Sequence, residues 1–322
     1  MVERGEMLNI FIDGQEGTTG LKLCDKLAGR KDINLLKIAE DKRKDVTARA
    51  ELLNAADLAF LCLPDAAAVE AVGLVNNNHT RIIDASTAHR TLPGWVYGFP
   101  ELTKDGEAQI KNAMRVAVPG CHASGFLAIV KPLVAAGILA KDATICCTSL
   151  TGYSGGGKKM IAEYEAQNKN FMLLAPRPYA LGQTHKHLKE MKFVAELTRE
   201  PIFQPIVFDF FSGMAVSIPL DLSMLKAQKE DVFNVLSSHY LGQELVRVSL
   251  DEGESISNGA ISANALYGRD DMEIVVNGNS QNVIVTAVFD NLGKGASGQA
   301  VECMNLMLGI KKTTGLLYKE NI

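Results

Sequence analysis

The order of local signals along the first hundred residues leaves few architectures open. Leu8-Asn-Ile-Phe-Ile-Asp13 is a short apolar run, Gly14-Gln-Glu-Gly17-Thr-Thr-Gly20 follows, and residues 21–28 continue with apolar side chains at helical spacing. This reads as strand, glycine turn, helix. The alternation then repeats. Residues 33–39 read as a second strand, 48–55 as a short helix, 58–63 as a third strand closed by Pro64, 65–75 as a helix and 81–84 as a fourth strand. Strands separated by helices argue for a parallel sheet and an α/β fold. Ligands of such sheets sit at the carboxyl ends of the strands.

The glycine turn lies at the first of those ends. Glycine lets the backbone approach a pyrophosphate, and the first turn of the following helix offers unpaired N–H groups. Gly14, Gly17, Thr18, Thr19 and Gly20 are therefore candidate dinucleotide contacts. The GxxGxxG spacing departs from the usual GxGxxG, and a plain tight turn leaves the same trace; the position after a first strand favours the ligand. Strand two ends in Glu40-Asp41-Lys42-Arg43-Lys44. An acid there suits the ribose of NAD and basic residues suit the extra phosphate of NADP. The run of three bases tilts the reading to NADP, with Lys42 and Arg43 as contacts, although a solvated charged loop has the same composition. Strand four runs into Asp84-Ala-Ser86-Thr-Ala-His-Arg90 at the same edge. Arginine is suited to gripping phosphate or carboxylate in two places, so Arg90, with Ser86 beside it, is a candidate substrate contact. The competing role for Arg90 is a surface ion pair.

The second half carries the reactive groups. In Arg115-Val-Ala-Val-Pro-Gly-Cys-His-Ala-Ser-Gly125 a short apolar run ends at Pro119-Gly120, Cys121 follows, and residues 126–137 are strongly apolar. That is strand, turn, cysteine, helix. A thiol at a helix start sees free N–H groups and the positive dipole end, which lower its pKa and favour the nucleophilic thiolate. Gly152-Tyr-Ser-Gly155-Gly-Gly-Lys158-Lys159, after a β-rich run at 143–150, is a candidate anion-binding loop through Gly155 and Lys158. Further on, Tyr179-Ala-Leu-Gly-Gln-Thr-His185-Lys-His187-Leu-Lys-Glu190 places two histidines and a carboxylate together, with His187 and Glu190 on one face of a helix. A histidine is a natural proton partner for a thiol. No further ligand cluster accompanies the HxH, so no metal is expected. Runs at 205–222, 272–276 and 282–289 read as strands of a mixed sheet. A last glycine loop, Asp290-Asn291-Leu-Gly293-Lys-Gly-Ala-Ser-Gly-Gln299, precedes an apolar helix that returns to the first domain. Asn291 and Gly293 would then reach the cofactor.

Other classes are set aside by composition. The formal net charge of -4 gives no basic footprint for nucleic acid. No apolar run is long enough to span a membrane, and the polar Met1-Val-Glu-Arg-Gly-Glu stretch, read as a frayed lead-in, has no signal-peptide core. The six cysteines lack metal or disulfide spacing, which suits a reducing cytoplasm. Cys24, Cys62, Cys146, Cys147 and Cys303 lie in apolar runs and are expected in the core.

Taken together, the glycine turn, Asp84–Arg90, Tyr97-Gly-Phe-Pro-Glu101, Pro119-Gly-Cys121, His185-Lys-His187 with Glu190, the 152–158 loop and the 291–299 loop resemble the N-acetyl-gamma-glutamyl-phosphate reductases in their shorter type 2 form, over nearly the whole chain. Two residues depart from that pattern: His122, where an aromatic residue is frequent, and Lys189, where a proline commonly precedes the glutamate. The resemblance implies a Rossmann-type domain over residues 1–120, with 296–322 packing back on it, and an α+β catalytic and oligomerisation domain of mixed sheet over 121–295. It implies NADPH-dependent reduction of N-acetyl-gamma-glutamyl phosphate to N-acetylglutamate 5-semialdehyde in arginine biosynthesis. In that reading Cys121 forms a thioester, His185 or His187 moves the proton, and Arg90, Ser86, Glu190 and Lys158 hold the substrate. It also implies a homo-oligomer, dimer or tetramer. Aspartate-semialdehyde dehydrogenase shares the fold and thiol chemistry but expects a different arginine-to-histidine spacing. A thiol hydrolase or a non-catalytic nucleotide binder would leave the two glycine loops without a role.

Overall fold

In a computed structural model, residues 7–321 are described; the stretch read as a lead-in lies outside them. The first six strands, β1 (Leu8–Asp13), β2 (Ile33–Leu36), β3 (Leu58–Leu61), β4 (Arg81–Asp84), β5 (Val96–Tyr97) and β6 (Arg115–Ala117), form an all-parallel sheet in the order β2-β1-β3-β4-β6-β5. Helices α1 (Thr18–Leu27), α2 (Val46–Ala55), α3 (Asp65–Leu74) and α4 (Gly106–Asn112) lie between them in the chain. Successive strand residues face opposite sides, so both faces are buried. Ile10, Ile12 and Phe60 pack with Leu23 of α1, while Phe11, Ala59 and Leu61 pack with Leu53 of α2 and Ala68 of α3. The second strand is shorter than the apolar run suggested, ending at Leu36.

After α5 (Cys121–Ala135) the chain builds a seven-stranded mixed sheet. Its strands are β7 (Cys146–Gly152), β8 (Arg177–Pro178), β9 (Ile202–Phe208), β10 (Met214–Asp221), β11 (Val246–Leu250), β14 (Met272–Gly278) and β15 (Asn282–Phe289). Their order is β11-β14-β15-β10-β7-β9-β8, and a small hairpin of β12 (Ile256–Ser257) and β13 (Ala260–Ile261) stands apart. Helix α5 is apolar on every side and buried almost throughout, as expected of a helix inside a core. It lies close on β10, where a Cβ on Gly125 would come 2.5 Å from Val216. With α7 (His187–Val194) and α9 (Lys229–His239) it covers one face of this sheet. The helices α6 (Gly157–Glu165) and α8 (Leu222–Leu225) are peripheral. No helix among the described residues is long and apolar enough to cross a membrane.

The chain then returns. A widened π-helical turn at Gly293–Ser297 leads into α10 (Gly298–Met307), whose Ala300, Val301, Cys303, Met304 and Met307 join the core of the first sheet. This return is held by a buried ion cluster. Lys294 is fully buried and donates at 2.6 Å to Glu101 and at 2.6 Å to Glu302, over the face of Phe99. Burial and the neighbouring Glu101 charge push the Glu302 carboxyl up towards about 8, while Lys294 holds Glu101 below its ordinary range. Cys146 departs from expectation: it is exposed while Cys147 is buried, because adjacent strand residues face opposite sides.

Removing the shared cation leaves the buried Glu101 carboxylate and Glu302 carboxyl without their partner. Lys294→Ala is expected to lower unfolding free energy by about 3–5 kcal/mol in urea titration. Glu302 holds its proton more tightly when folded than when unfolded, so stability in the wild type should fall as pH rises from the ordinary carboxyl range to about 8. Glu302→Gln should flatten that slope; an unchanged slope would mean that Glu302 titrates normally.

Candidate active site

Register places the functional segments at one edge. Asp84 of β4 pairs with Ala117 of β6, so Ala85–Arg90 and Val118–Cys121 leave the sheet side by side. Asp13 of β1 pairs with Leu61 of β3, which brings the glycine turn against Cys62. Gly14 has φ +85°, and a Cβ there would lie 2.3 Å from the Cys62 carbonyl oxygen; a Cβ on Gly20 would lie 2.4 Å from the Gly14 oxygen. These two glycines shape the turn without lining the space above it. Gly17, Thr18 and Thr19 do line it. The space is a cavity of about 500 Å³ running from the turn to Cys121, His185 and His187. Thr18 Oγ1 is buried there and has no hydrogen-bond partner among the described residues. An unpartnered hydroxyl at a helix start, over a turn with no room for side chains, fits the pyrophosphate of a dinucleotide.

Cys121 is the first residue of α5, half-buried, with Gly120 in extended conformation before it. Burial dominates the thiol and pushes its pKa up to about 11, against the opposing pull of the His122 N–H, Arg90 and Lys186. The lowered thiol pKa expected from a helix start is therefore not found: desolvation outweighs the dipole. Three imidazoles surround the thiol segment. His185 and His187 have ring centroids 4.7 Å apart, and His122 lies 5.4 Å from the first and 5.6 Å from the second. Burial, then neighbouring positive charge, lowers all three pKa values: His122 to about 3, His185 to about 4, and His187 well below its ordinary value. All three are neutral at pH 7. The His187 backbone N–H donates to His185 Nδ1 at 3.2 Å, so neutral His185 carries its hydrogen on Nε2. His187 closes over Gly120, where a Cβ would stand 2.2 Å from its Nε2 and 2.6 Å from Arg90 Nη1.

Glu190 takes a different part from the one its sequence position suggested. It is buried and accepts from Arg90 Nη1 at 2.9 Å, Tyr97 hydroxyl at 2.6 Å and the Gly120 N–H at 2.9 Å. Both oxygens are occupied by the protein, it does not line the cavity, and it does not pair with His187, whose Nδ1 has no partner among the described residues. Glu190 thus serves as an internal anchor, and the structure shows it no opening to the cavity where it was expected to meet substrate. Ser86 does not line the cavity either; its buried hydroxyl donates to Asp84 at 2.7 Å. Arg90 does line the cavity. It spends three N–H groups on Val118, Ala85 and Glu190, and of the five that a guanidinium carries two remain.

The outer cofactor candidates are more dispersed. Lys42 is exposed, and Arg43 pairs with Glu16 of the glycine turn at 3.1 Å; Lys158 reaches the same carboxylate from α6 at 3.8 Å. None of these three lines the cavity. Gly155 and Asn291 do; the Asn291 amide also holds Ser154, Ser212 and Gly213. Gly293 faces away, and a Cβ there would collide with the Arg269 carbonyl, so it serves packing rather than direct contact. Gly295 takes the place expected of it, facing Cys121 Cβ closely enough that its own Cβ would come to 3.0 Å. The residues missed from sequence are His122 and Tyr179, both lining the cavity. Adjacency of His122 to the thiol was the available signal. Among the described residues no cluster of His, Cys, Asp and Glu is arranged to hold a metal ion.

Residues 9–113 match the family described as "Semialdehyde dehydrogenase, NAD binding domain", and residues 121–291 match "Semialdehyde dehydrogenase, dimerisation domain". The class is that of the phosphorylating semialdehyde dehydrogenases. Within it, a Chelativorans sp. protein named N-acetyl-gamma-glutamyl-phosphate reductase is 45% identical over 93% of this chain and 97% of that protein. A Nostoc sp. protein named N-acetyl-gamma-glutamyl-phosphate reductase 2 is 44% identical over 95% and 98%. The chain belongs to the N-acetyl-gamma-glutamyl-phosphate reductase family. Among solved structures, the fold is shared with aspartate semialdehyde dehydrogenase II of Vibrio cholerae, with TM-score 0.69 and 15% identity over 95% of this chain and 99% of that one. It is also shared with an aspartate semialdehyde dehydrogenase with NADP from Candida albicans, with TM-score 0.64 and 13% identity over 94% and 99%.

The close approach at Gly120 gives a direct test. Gly120→Ala should displace His187 and Arg90 and reduce turnover by about 100-fold, with the circular dichroism spectrum retained, since misplacement by about an ångström carries a penalty of that order. Full activity in this variant would mean that neither side chain is needed where it stands.

Proposed function

We propose that the chain reduces N-acetyl-gamma-glutamyl phosphate to N-acetylglutamate 5-semialdehyde and phosphate with NADPH, in arginine biosynthesis, through a thioester on Cys121. The observation that carries this is the meeting of thiol, neutral His187 and Arg90 around Gly120, in the cavity that begins at the glycine turn. Gly17, Thr18 and Thr19 would hold the pyrophosphate, with Gly14 and Gly20 shaping the turn. Asn291, Gly155 and the packing of Gly293 support the loops opposite. Arg43, with Lys42, would meet the additional phosphate of NADP once Glu16 releases it.

The thiol rests protonated, because burial holds its pKa near 11. Deprotonation is therefore coupled to attack. As sulfur bonds to the acyl carbon, neutral His187 takes the thiol proton and phosphate leaves with the electron pair of its C–O bond. Arg90 lines the cavity, and its two free N–H groups would serve the departing phosphate or the substrate carboxylate. NADPH, held by Gly17, Thr18 and Thr19, would supply the hydride that reduces the thioester. His187 donates its proton to the oxyanion of the resulting thiohemiacetal. When the hydroxyl proton returns to His187, the C–S bond breaks with its electron pair on sulfur, the aldehyde leaves, and His187 passes the proton to the thiolate to restore the resting thiol. His185, fixed as the Nε2–H form, presents a second donor beside this path. His187 is the favoured proton carrier because it, and not His185, stands at Gly120.

The labour divides along the chain: residues 1–120 with 296–322 serve the nucleotide, and 121–295 serve the substrate and the oligomer. A homodimer, or a tetramer built from it, is proposed through the open face of the large sheet. Register puts Cys146, Ile202, Pro219 and Ile284 on that face, and the two isoleucines are 54% and 50% exposed. A cytoplasmic location follows from the biosynthetic role.

The assay runs in reverse: N-acetylglutamate semialdehyde, phosphate and NADP should give NADPH absorbance, with a weaker signal from NAD. Cys121→Ala should abolish it and keep NADP affinity within about twofold; loss of NADP binding would make the thiol structural. Light scattering on the purified protein should give at least twice the chain mass, and a monomer would remove the sheet-face proposal.

A further inference from the structure

The residue after the nucleophile is hydrogen-bonded through both ring nitrogens. His122 Nδ1 stands 2.7 Å from the Ser149 hydroxyl on β7, and Nε2 stands 2.6 Å from the Tyr179 hydroxyl just after β8. His122 and Ser149 are buried, and Tyr179 lines the cavity. Neither hydroxyl has another hydrogen-bond partner among the described residues. Burial keeps His122 neutral, so one ring nitrogen carries hydrogen and the other accepts.

Ser149 decides which. Were the hydrogen on Nδ1, the Ser149 hydroxyl would accept it and its own proton would have no acceptor in a dry interior. With the hydrogen on Nε2, Ser149 donates to Nδ1 and Nε2 donates to the Tyr179 oxygen. Every buried donor is then used except one, the phenolic proton of Tyr179, which is left to the cavity. Hydrogen bonds in series polarise one another and strengthen the terminal donor. Tyr179 packs against His185, ring centroids 6.0 Å apart, and His185 in turn against His187. Tyr179 is thus two rings along from the proton carrier at Gly120, on the wall of the same cavity that a substrate bound at Cys121 would occupy.

We propose that Ser149 and His122 form a relay that aims the Tyr179 hydroxyl proton at an acceptor oxygen on the amino-acid end of the substrate, its α-carboxylate or its acetamido carbonyl. Tyr179 is the specificity-determining donor and His122 its positioning residue. The inference rests on the substrate reading above. Two hydroxyls and one imidazole, from β7, α5 and the segment after β8, act on a part of the substrate that takes no share in the bond changes.

The test compares three aldehydes with NADP and phosphate: N-acetylglutamate semialdehyde, 4-acetamidobutanal, which lacks the carboxylate, and 5-oxopentanoate, which lacks the acetamido group. No turnover of the first by wild type overturns the substrate reading itself. If wild type turns it over, Tyr179→Phe and His122→Phe should each raise its KM about three- to tenfold, with kcat within about twofold and the KM for NADP unchanged. The penalty should vanish for whichever truncated aldehyde lacks the oxygen held, which tells carboxylate from carbonyl. His122→Gln, whose amide N–H can still reach Tyr179, should recover part of the loss. An unchanged KM in Tyr179→Phe, or an equal penalty for all three aldehydes, overturns the relay. Should His122→Phe fail to fold, Tyr179→Phe and Ser149→Ala decide alone, and the same two results count against it.

Discussion

Three side chains from distant parts of the sequence converge where one residue has no side chain. Arg90 leaves the end of β4, His187 begins α7, and Cys121 begins α5; all meet at Gly120. The meeting is possible because a Cβ at Gly120 would overlap both the imidazole and the guanidinium. It is held by Glu190, which takes the Gly120 N–H, Arg90 and the Tyr97 hydroxyl at once. One carboxylate therefore orients the backbone ahead of the nucleophile and the cation beside it. Any movement of α7 relative to β4 is felt at the thiol.

Dryness sets the electrostatics of this arrangement. The same burial that keeps the imidazoles neutral keeps the thiol protonated, so neither the nucleophile nor its proton acceptor is charged at rest. The charged side chains lining the cavity beside them are the cations Arg90 and Lys186. A protein that held a permanent thiolate would expose it to oxidants and other electrophiles; a thiol that ionises only during attack is less exposed to them. The neutral rings also make a tautomer network possible, since a protonated imidazole donates at both nitrogens and could not relay from Ser149 to Tyr179.

Much of the fold was legible because its signals are local. The β1–turn–α1 unit and the alternation after it depend on residues a few positions apart, and the thiol at the head of α5 followed from Pro119-Gly120 and the apolar run after it. The site was legible as a set of residues but not as a set of partners. Glu190 lies three positions from His187 on the same helix, yet it bonds Arg90, a hundred positions away. Helical spacing reports which side chains share a face and says nothing of what packs against it. Ser86 turned inward to Asp84 for the same reason. The thiol pKa was misjudged because the dipole can be read from sequence while burial cannot. His122 stood out in the sequence only as a departure from the family's pattern, because its two partners come from β7 and from the segment before α7.

The return of α10 to the first sheet bears on how the molecule is made. Val301, Met304 and Met307 join a core that includes Ile10, Ile12 and Phe60 from the start of the sequence. The core of the first sheet therefore lacks these members until α10 has been made, whereas the second sheet has all its strands once Phe289 has emerged. The glycine turn, though made first, acquires its finished surroundings only after the second sheet's last strand.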